Sequence, residues 1–170
     1  MNYANIKSRD IANGPGIRVS LFVSGCTHRC PGCFNPETWD FQFGAPFGEE
    51  QIQTILNYLR PAHIQGLSLL GGEPLHPDNQ QAVLELVERV RQELPEKDIW
   101  CYTGYLYEGL RDGNVGDYSR SLLKQLDILV DGPFVMEQKK LSLPFRGSEN
   151  QRIIRVKESL SSGEIVLWNN

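Results

Sequence analysis

The chain has 170 residues, of which 40% are hydrophobic and 22% are charged, and its formal net charge is −4. This length predicts one domain, residues 1–170, and the net negative charge argues against nucleic-acid binding driven by phosphate neutralisation. Because the first ten residues contain no apolar signal region and no apolar run approaches the roughly 20 residues of a membrane helix, we expect a cytoplasmic protein that does not bind membranes.

Predicted strands and helices alternate along the chain. β-Branched and apolar runs ending in glycine or turn residues predict strands at 17–25, 66–70, 98–104 and 127–132. Two later strands, at 152–156 and 164–168, are expected to pair as a hairpin. Apolar residues at helical spacing predict helices at 49–60 and 78–94, and one or two short helices within 105–125. Residues 34–48 are rich in proline and glycine and predict a loop.

This alternation favours βαβ units and therefore an α/β protein with about five to six mostly parallel strands. A closed (β/α)₈ barrel takes about 250 residues, so an open partial barrel or a doubly wound sheet is expected instead. Both architectures bind ligands at the carboxyl ends of their strands. The cysteine segment and the sequences "GGEP", "YTG" and "DG" each follow a predicted strand. We therefore expect these four segments to converge on one rim.

The most informative segment is "CTHRCPGC", which holds Cys26, Cys30 and Cys33 within eight residues, whereas the fourth cysteine, Cys101, is remote. Bunched cysteines in a reducing compartment indicate a metal-binding or catalytic site. Three thiolates can hold three irons of a four-iron cluster and leave the fourth iron open to another ligand. The spacing alone also allows a structural zinc site completed by His28 or Cys101, an electron-transfer cluster that uses Cys101, or incidental thiols.

The C-x₃-C-x₂-C pattern after an N-terminal strand resembles the radical S-adenosylmethionine (radical SAM) superfamily. The resemblance implies an open partial barrel and a [4Fe-4S] cluster whose open iron is chelated by S-adenosylmethionine. Reductive cleavage of that cofactor would yield methionine and a 5′-deoxyadenosyl radical. It further implies that Cys26, Cys30 and Cys33 are the cluster ligands. The positions implied to contact S-adenosylmethionine are Gly32, Cys33, Phe34, Gly71, Gly72, Glu73, Pro74, Thr103 and Asp131.

In much of the superfamily an aromatic residue lies between the second and third cysteines, but this chain has Gly32 there. We expect Phe34 to pack beside the adenine instead. His28 is interpreted as a loop residue that shields the cluster, and Cys101 as a buried apolar residue. His63 and His76 are interpreted as surface or capping residues.

Longer blocks, among them "DIANGPGIRVSLFVSGCTHRCPGCFNPETW", "GLSLLGGEPLHP" and "LDILVDGPF", are similar to the family of anaerobic ribonucleoside-triphosphate reductase activating proteins. This resemblance covers about residues 1–155. It implies an activase that removes a glycine Cα hydrogen from the reductase large chain and leaves a glycyl radical. A flavodoxin-type protein is the implied electron donor. The shortness of the chain agrees with a protein substrate that itself closes the site.

Three other functions remain open at this point: a pyruvate formate-lyase activase, a small-molecule radical SAM enzyme such as a deazapurine synthase, and a structural zinc or iron–sulfur binding module. The segment "RGSENQR", from Arg146 to Arg152, suits a contact with the reductase or with the edge of the chain's own sheet. Residues 157–170 are expected to form a C-terminal extension that adds a strand or a partner contact.

Overall fold

The structure, a computed structural model, describes residues 1–169. These residues form seven strands: β1 (Asn2–Asp10), β2 (Ile17–Val23), β3 (Ala45–Pro46), β4 (Ile64–Gly71), β5 (Asp98–Tyr102), β6 (Ile128–Asp131) and β7 (Arg152–Arg155). The five α-helices are α1 (Glu49–Leu59), α2 (Pro77–Glu93), α3 (Tyr107–Asp112), α4 (Ser119–Gln125) and α5 (Val156–Ser162). Short 3₁₀ turns cover Pro36–Trp39 and Met136–Gln138. None of the described helices is long and apolar enough to cross a bilayer.

All seven strands belong to one sheet in the order β3-β1-β2-β4-β5-β6-β7. The four central strands β2, β4, β5 and β6 are parallel to their neighbours. The outer strands β1, β3 and β7 pair antiparallel. The predicted α/β class is therefore confirmed, but the sheet has seven strands instead of five or six, and only its centre is parallel. The sheet is open, with β3 and β7 at its edges, so the strands do not close into a barrel.

The two faces of the sheet have different cores. On one face, alternate strand residues such as Val19, Leu21, Leu67 and Leu69 pack with the apolar sides of all five helices. On the other face, the helix-free face, a smaller apolar cluster of Trp100, Ile128, Val130 and Ile153 packs against apolar side chains that, within residues 1–169, belong to no α-helix. The helix-free face is therefore available at the carboxyl ends of the central strands.

Helix predictions were accurate because their apolar stripes are long. The predicted helix 78–94 corresponds to α2, in which Val83, Leu86, Val87 and Val90 are fully buried. The region 105–125, predicted to hold one or two short helices, contains both α3 and α4, and α3 ends at Gly113 in the left-handed conformation. His76 caps α2, since its Nδ1 accepts a hydrogen bond from the Asp78 N–H at 3.2 Å.

The structure differs from the strand predictions at three places, the smallest being the two-residue strand β3 inside the predicted loop 34–48. Strand β1 was missed because its nine residues are mostly polar and partly exposed, so they lack the apolar alternation on which a strand prediction depends. The predicted C-terminal hairpin is wrong in its connection, since residues 156–162 form helix α5 instead of a turn. The predicted pairing is found in short form: beyond α5 the chain returns antiparallel to β7, where the Arg155 N–H donates to the Val166 carbonyl and the Trp168 N–H to the Ile153 carbonyl, both at 2.8 Å, on either side of a bridge between Ile154 and Leu167.

The Gly-Pro-Gly turn that joins β1 to β2 lies against the helix-free face. Arg18, at the start of β2, is fully buried there and donates hydrogen bonds to Ser68 Oγ at 2.7 Å and to Asp98. Ser68 in turn donates to the Asn13 carbonyl at 2.6 Å. A buried arginine needs such partners, because an unpaired buried charge is strongly destabilising. These contacts fix the turn on the helix-free face near the amino ends of β2, β4 and β5.

The β6–β7 edge is held by one arginine that binds two carboxylates. Arg152 donates to both oxygens of Glu108, at 3.0 and 2.8 Å, and to the fully buried Asp131. Asp131 also accepts the Tyr107 N–H at 2.8 Å, so its carboxylate ties α3, β6 and β7 together. The second arginine of the "RGSENQR" segment is therefore part of the chain's own sheet edge.

Arg152→Ala is expected to lower the free energy of unfolding by about 3 kcal/mol, because it leaves the buried Asp131 carboxylate without its cation. Anaerobic urea unfolding measures this loss. Arg155→Ala on the same strand is the matched control. Its side chain and that of Glu158 are both exposed, so the expected change is below about 1 kcal/mol. Equal, small changes in both variants would contradict the structural role of Arg152.

Candidate active site

A cleft of about 760 Å³ lies at the carboxyl ends of the central strands, on the helix-free face of the sheet. Its size falls within the range of small-molecule and cofactor sites. The cleft brings together segments that are far apart in the sequence, from Lys7 to Gln151, as the sheet topology requires. The predicted site residues that line it are Cys26, Cys30, Cys33, Phe34, Gly71, Gly72, Glu73 and Thr103.

The cysteine loop is attached to the sheet by backbone hydrogen bonds at its beginning. The Cys26 N–H donates to the Trp39 carbonyl at 3.2 Å, and the Gly25 carbonyl accepts the Glu73 N–H at 2.8 Å. Inside the loop, the Cys33 N–H donates to the Cys30 carbonyl at 3.1 Å and forms a turn. The loop therefore has a defined path next to the end of β4.

The three thiols of this loop are partly exposed and free. Burial raises the pKa of the Cys26 thiol, and the negative charge of Glu73 raises it further. Among residues 1–169, no three His, Cys, Asp or Glu side chains converge as ligands of a single metal ion would. A four-iron cluster does not need that convergence, because each thiolate binds a different iron. Three free thiols on one cleft wall fit such a cluster.

Glu73 is the most highly connected side chain of the site. Its carboxylate is 1% exposed, accepts three hydrogen bonds from the chain itself and lies within hydrogen-bond distance of His28. Oε1 accepts from the Leu75 N–H at 2.9 Å and the Thr103 hydroxyl at 2.8 Å. Oε2 accepts from the Gly104 N–H at 2.8 Å and lies 3.0 Å from His28 Nε2. The Glu73 carboxylate thus connects the cysteine loop with the ends of β4 and β5.

His28 reaches Glu73 because Gly104 leaves room for its ring. A Cβ atom at Gly104 would lie 2.5 Å from His28 Cδ2, which is closer than real Cβ contacts allow. On its other side the His28 ring meets Tyr105 edge-on, with centroids 4.5 Å apart. The His28 ring therefore packs against the end of β5, at Gly104 and Tyr105.

The two glycines of "GGEP" permit close contact between β4 and the cysteine loop. Gly71 has φ +106°, a conformation that favours glycine. A Cβ atom at Gly72 would lie 2.7 Å from the Gly25 carbonyl oxygen and 2.9 Å from that of Thr38. Both obstacles are backbone atoms, which cannot rotate away. The glycines are therefore required by the packing of the cleft floor itself.

Gly72→Ala is expected to lower the free energy of unfolding by about 2 kcal/mol, since overpacking of this kind forces the backbone to move. Gly48→Ala is the matched control, because a Cβ atom there meets no atom closer than 3.9 Å. Urea unfolding of both variants measures the difference. Equal stability of Gly72→Ala and Gly48→Ala would contradict the close packing of the end of β4 against the cysteine loop.

The segment between β6 and β7, residues 133–147, covers one side of the cleft and is called the arm below. Gly32 has φ +74°, and a Cβ atom there would lie 2.8 Å from Met136 of the arm. This contact explains why the position holds no aromatic residue. Phe34 meets Phe134 of the arm at a centroid distance of 5.5 Å and remains 64% exposed.

Three predicted site residues do not line the cleft. Gly32 and Pro74 lie next to lining residues in the chain but are not themselves part of the wall. Asp131 is fully buried, and its oxygens are bound by Arg152 and the Tyr107 N–H. The "DG" turn still reaches the cleft, but through Gly132. Cys101 is fully buried in the core under the helices, as predicted.

Sequence reasoning missed several cleft residues that come from the arm and from β1. Lys7 lines the cleft from β1, the strand that was not predicted. The arm residues that line it are Phe134, Lys139, Lys140, Leu141, Leu143, Phe145, Arg146 and Gly147. Apart from the basic residues near Arg146, no sequence signal pointed to the arm, because its path depends on the Lys139–Ser148 bridge and not on a local pattern.

Comparison with known proteins gives consistent results. Residues 12–154 match a family model described as a 4Fe-4S single cluster domain. The chain is 46% identical to a protein from Haemophilus influenzae over 92% of this chain and 99% of that protein. It is also 46% identical to a protein from Vibrio cholerae, over 91% and 98% respectively, and to one from Escherichia coli, over 89% and 96%. All three are named anaerobic ribonucleoside-triphosphate reductase-activating protein.

Proposed function

The chain belongs to the family of anaerobic ribonucleoside-triphosphate reductase-activating proteins, and on this basis we propose that it is the activase that creates the glycyl radical of such a reductase. The observation that carries the proposal is the position of three free thiols on the wall of one open cleft beside the "GGEP" turn. An iron left without a protein ligand at that place would face the cleft.

Cys26, Cys30 and Cys33 are the proposed ligands of a [4Fe-4S] cluster. Their partial exposure supports this role, since a metal must reach its ligands and the thiols must lose their protons on binding. Cys101 has no such access, and burial raises the pKa of its thiol well above the usual value. The four cysteines are free thiols, which agrees with the reducing cytoplasm as the proposed location.

S-Adenosylmethionine is the proposed cofactor of the cleft. Three buried polar atoms of cleft residues have no hydrogen-bond partner within the described chain: Trp39 Nε1, Tyr102 Oη and Arg146 Nε. Buried polar groups are nearly always bonded, and a polar ligand in the cleft would supply the partners that these three atoms lack. Burial raises the pKa of Tyr102, which keeps its hydroxyl protonated and able to donate.

The cofactor contacts are proposed from the cleft geometry. The exposed ring of Phe34 offers a stacking surface for the adenine, and the backbone of Gly71 and Gly72 lines the opposite part of the cleft. We further propose that Glu73 and Thr103 position these segments without contacting the cofactor. Their side-chain oxygens are already occupied by Leu75, Gly104 and Tyr105 of the same chain.

A bound cluster would supply the electron for the reductive cleavage of S-adenosylmethionine, the chemistry that would lead to removal of a glycine Cα hydrogen from the reductase. The chain's part is to hold the cofactors and to exclude water. Exposed Phe34 and Leu141 beside the cleft show that residues 1–169 do not cover it by themselves. We propose that the reductase closes the cleft and that the open sheet is a partial barrel of the radical SAM type. A flavodoxin-type protein is the proposed electron donor.

The test is anaerobic reconstitution with iron and sulfide, followed by reduction and mixing with the reductase and S-adenosylmethionine. We expect a four-iron EPR signal that changes when S-adenosylmethionine is added, and then a glycyl-radical doublet in the reductase. One bound zinc and no iron would contradict the proposal and indicate a structural module. A doublet with pyruvate formate-lyase but none with the reductase would assign the other activase function.

A further inference from the structure

Apolar side chains at the arm are exposed next to the cleft. Leu141 is 89% exposed, Met136 is 46% exposed, and Phe34 beside them is 64% exposed. Leu141 and Phe34 both line the cleft, while Met136 lies against Gly32 of the cysteine loop. Single exposed apolar side chains scattered over a surface are normal. Several of them grouped beside a cleft, as here, indicate an interaction site.

The charges at the cleft have the opposite sign to those of the whole protein. The chain has a net charge of −4, yet four cationic residues line the cleft, and the one acidic residue there, Glu73, is buried and bound internally. Those cations are Lys7, Lys139, Lys140 and Arg146. The cleft entrance is therefore a basic patch on an acidic protein.

Two of these cations are available to a partner. Lys7 lies over the Phe22 ring at 5.0 Å and Lys139 over the Phe34 ring at 5.1 Å. Neither forms an ion pair within the described residues, whereas Lys140 is paired with Glu149 at 3.0 Å. Lys7 belongs to β1 and Lys139 to the arm, so the two free ammonium groups come from different walls of the cleft.

We propose that the arm and Lys7 form the docking surface for the protein substrate, and that the docked segment carries acidic side chains flanking the target glycine. The apolar contacts are made by Met136 and Leu141, and the two lysines receive the carboxylates. This inference rests on the proposed function and adds the place and the chemistry of the contact. Complementary charges of this kind raise the association rate and fix the register of the docked segment.

The charge part of the proposal is tested with Lys7→Glu and Lys139→Glu. Initial rates of glycyl-radical formation in the reductase are measured per loaded cluster. Salt is set at about 0.01 M and about 1 M, where charges are screened over roughly 30 and 3 Å. We expect each variant to be about three- to tenfold slower at low salt and within about twofold of wild type at high salt. Lys124→Glu, on the exposed side of α4, is the matched control and should react like wild type.

The apolar part is tested with Leu141→Ser. Because Leu141 is almost fully exposed, the variant should unfold at the same urea concentration as wild type. We expect the reductase concentration that gives half-maximal rate to rise about fivefold, since the partner no longer buries that side chain.

Two results would overturn the docking surface. One is rates for Lys7→Glu and Lys139→Glu that match Lys124→Glu at both salt concentrations. The other is an equal loss of 5′-deoxyadenosine formation in the absence of the reductase, which would mean that the lysines act on the cofactors. Failure of the proposed function is distinct, because then the wild-type chain itself produces no glycyl-radical doublet.

Discussion

Cys30→Ser is expected to abolish loading of the four-iron cluster, whereas Cys101→Ala should load as much iron as wild type. Cys30 lies on the cleft wall with Cys26 and Cys33, and all three thiols are partly exposed. Loss of one ligand leaves two thiolates, which cannot hold three corners of a cubane. Cys101 faces the core under the helices. Burial raises the pKa of its thiol, and the negative charge of Glu73 raises it further.

The measurement is iron and sulfide content after anaerobic reconstitution, together with the EPR spectrum of the reduced protein. Cys101→Ala is chosen as control because it removes the sulfur without burying a hydroxyl group. Loss of iron in both variants would contradict a three-thiolate site and indicate that Cys101 is the fourth ligand. Retention of four irons in Cys30→Ser would remove that cysteine from the ligand set.

Much of the site was predictable because parallel strands share one carboxyl edge. The cysteine loop follows β2, "GGEP" follows β4 and Thr103 follows β5, and the register of β2, β4 and β5 places these ends side by side. This prediction depends only on the strand assignments, which rest on short apolar runs. It failed for Asp131, since a strand end does not determine which side chain faces the ligand. Asp131 instead binds Arg152.

The partners of individual side chains were not predictable. The contact between His28 and Glu73 joins residues 45 positions apart, and it depends on the missing side chain at Gly104. Arg18 is buried for a similar reason, because Ser68 and Asp98 on neighbouring strands supply its hydrogen-bond acceptors. Local patterns carry no information on such pairs. The same limit applies to the arm, whose residues are neither periodic nor rich in strand formers.

The C-terminal error has a specific cause. Residues 152–156 and 164–168 both have β-forming composition, so a hairpin was the simplest prediction. In the structure, the Val156 N–H donates to the Asp127 carbonyl, and Val156 and Ser159 are buried on one side of a helical turn. Helix α5 begins there because tertiary burial outweighs the weak local preference. The arginines at the two ends of β7, Arg152 and Arg155, form ion pairs with acidic residues of the chain itself.

Glu73→Gln is expected to lower the free energy of unfolding by about 2 kcal/mol and to accelerate loss of iron to a chelator. The glutamine has the same shape, but one of its two terminal groups is an N–H donor. The glutamate oxygens each accept a backbone N–H, from Leu75 at one oxygen and from Gly104 at the other. In either orientation the amide NH₂ therefore faces a backbone donor, and that buried N–H loses its acceptor.

The Glu73 carboxylate contacts His28 of the cysteine loop as well as Gly104 after β5. Loss of this carboxylate therefore also weakens the connection between the cysteine loop and the end of β5. Glu93→Gln is the matched control, since Glu93 is an exposed carboxylate paired with Arg60 and Arg89. Its change should stay below about 1 kcal/mol. His28→Gln, which keeps an N–H donor near Glu73, should hold iron longer than His28→Ala. If Glu73→Gln keeps its stability and its iron but binds S-adenosylmethionine more weakly, the carboxylate is a direct cofactor contact and does not position the loop.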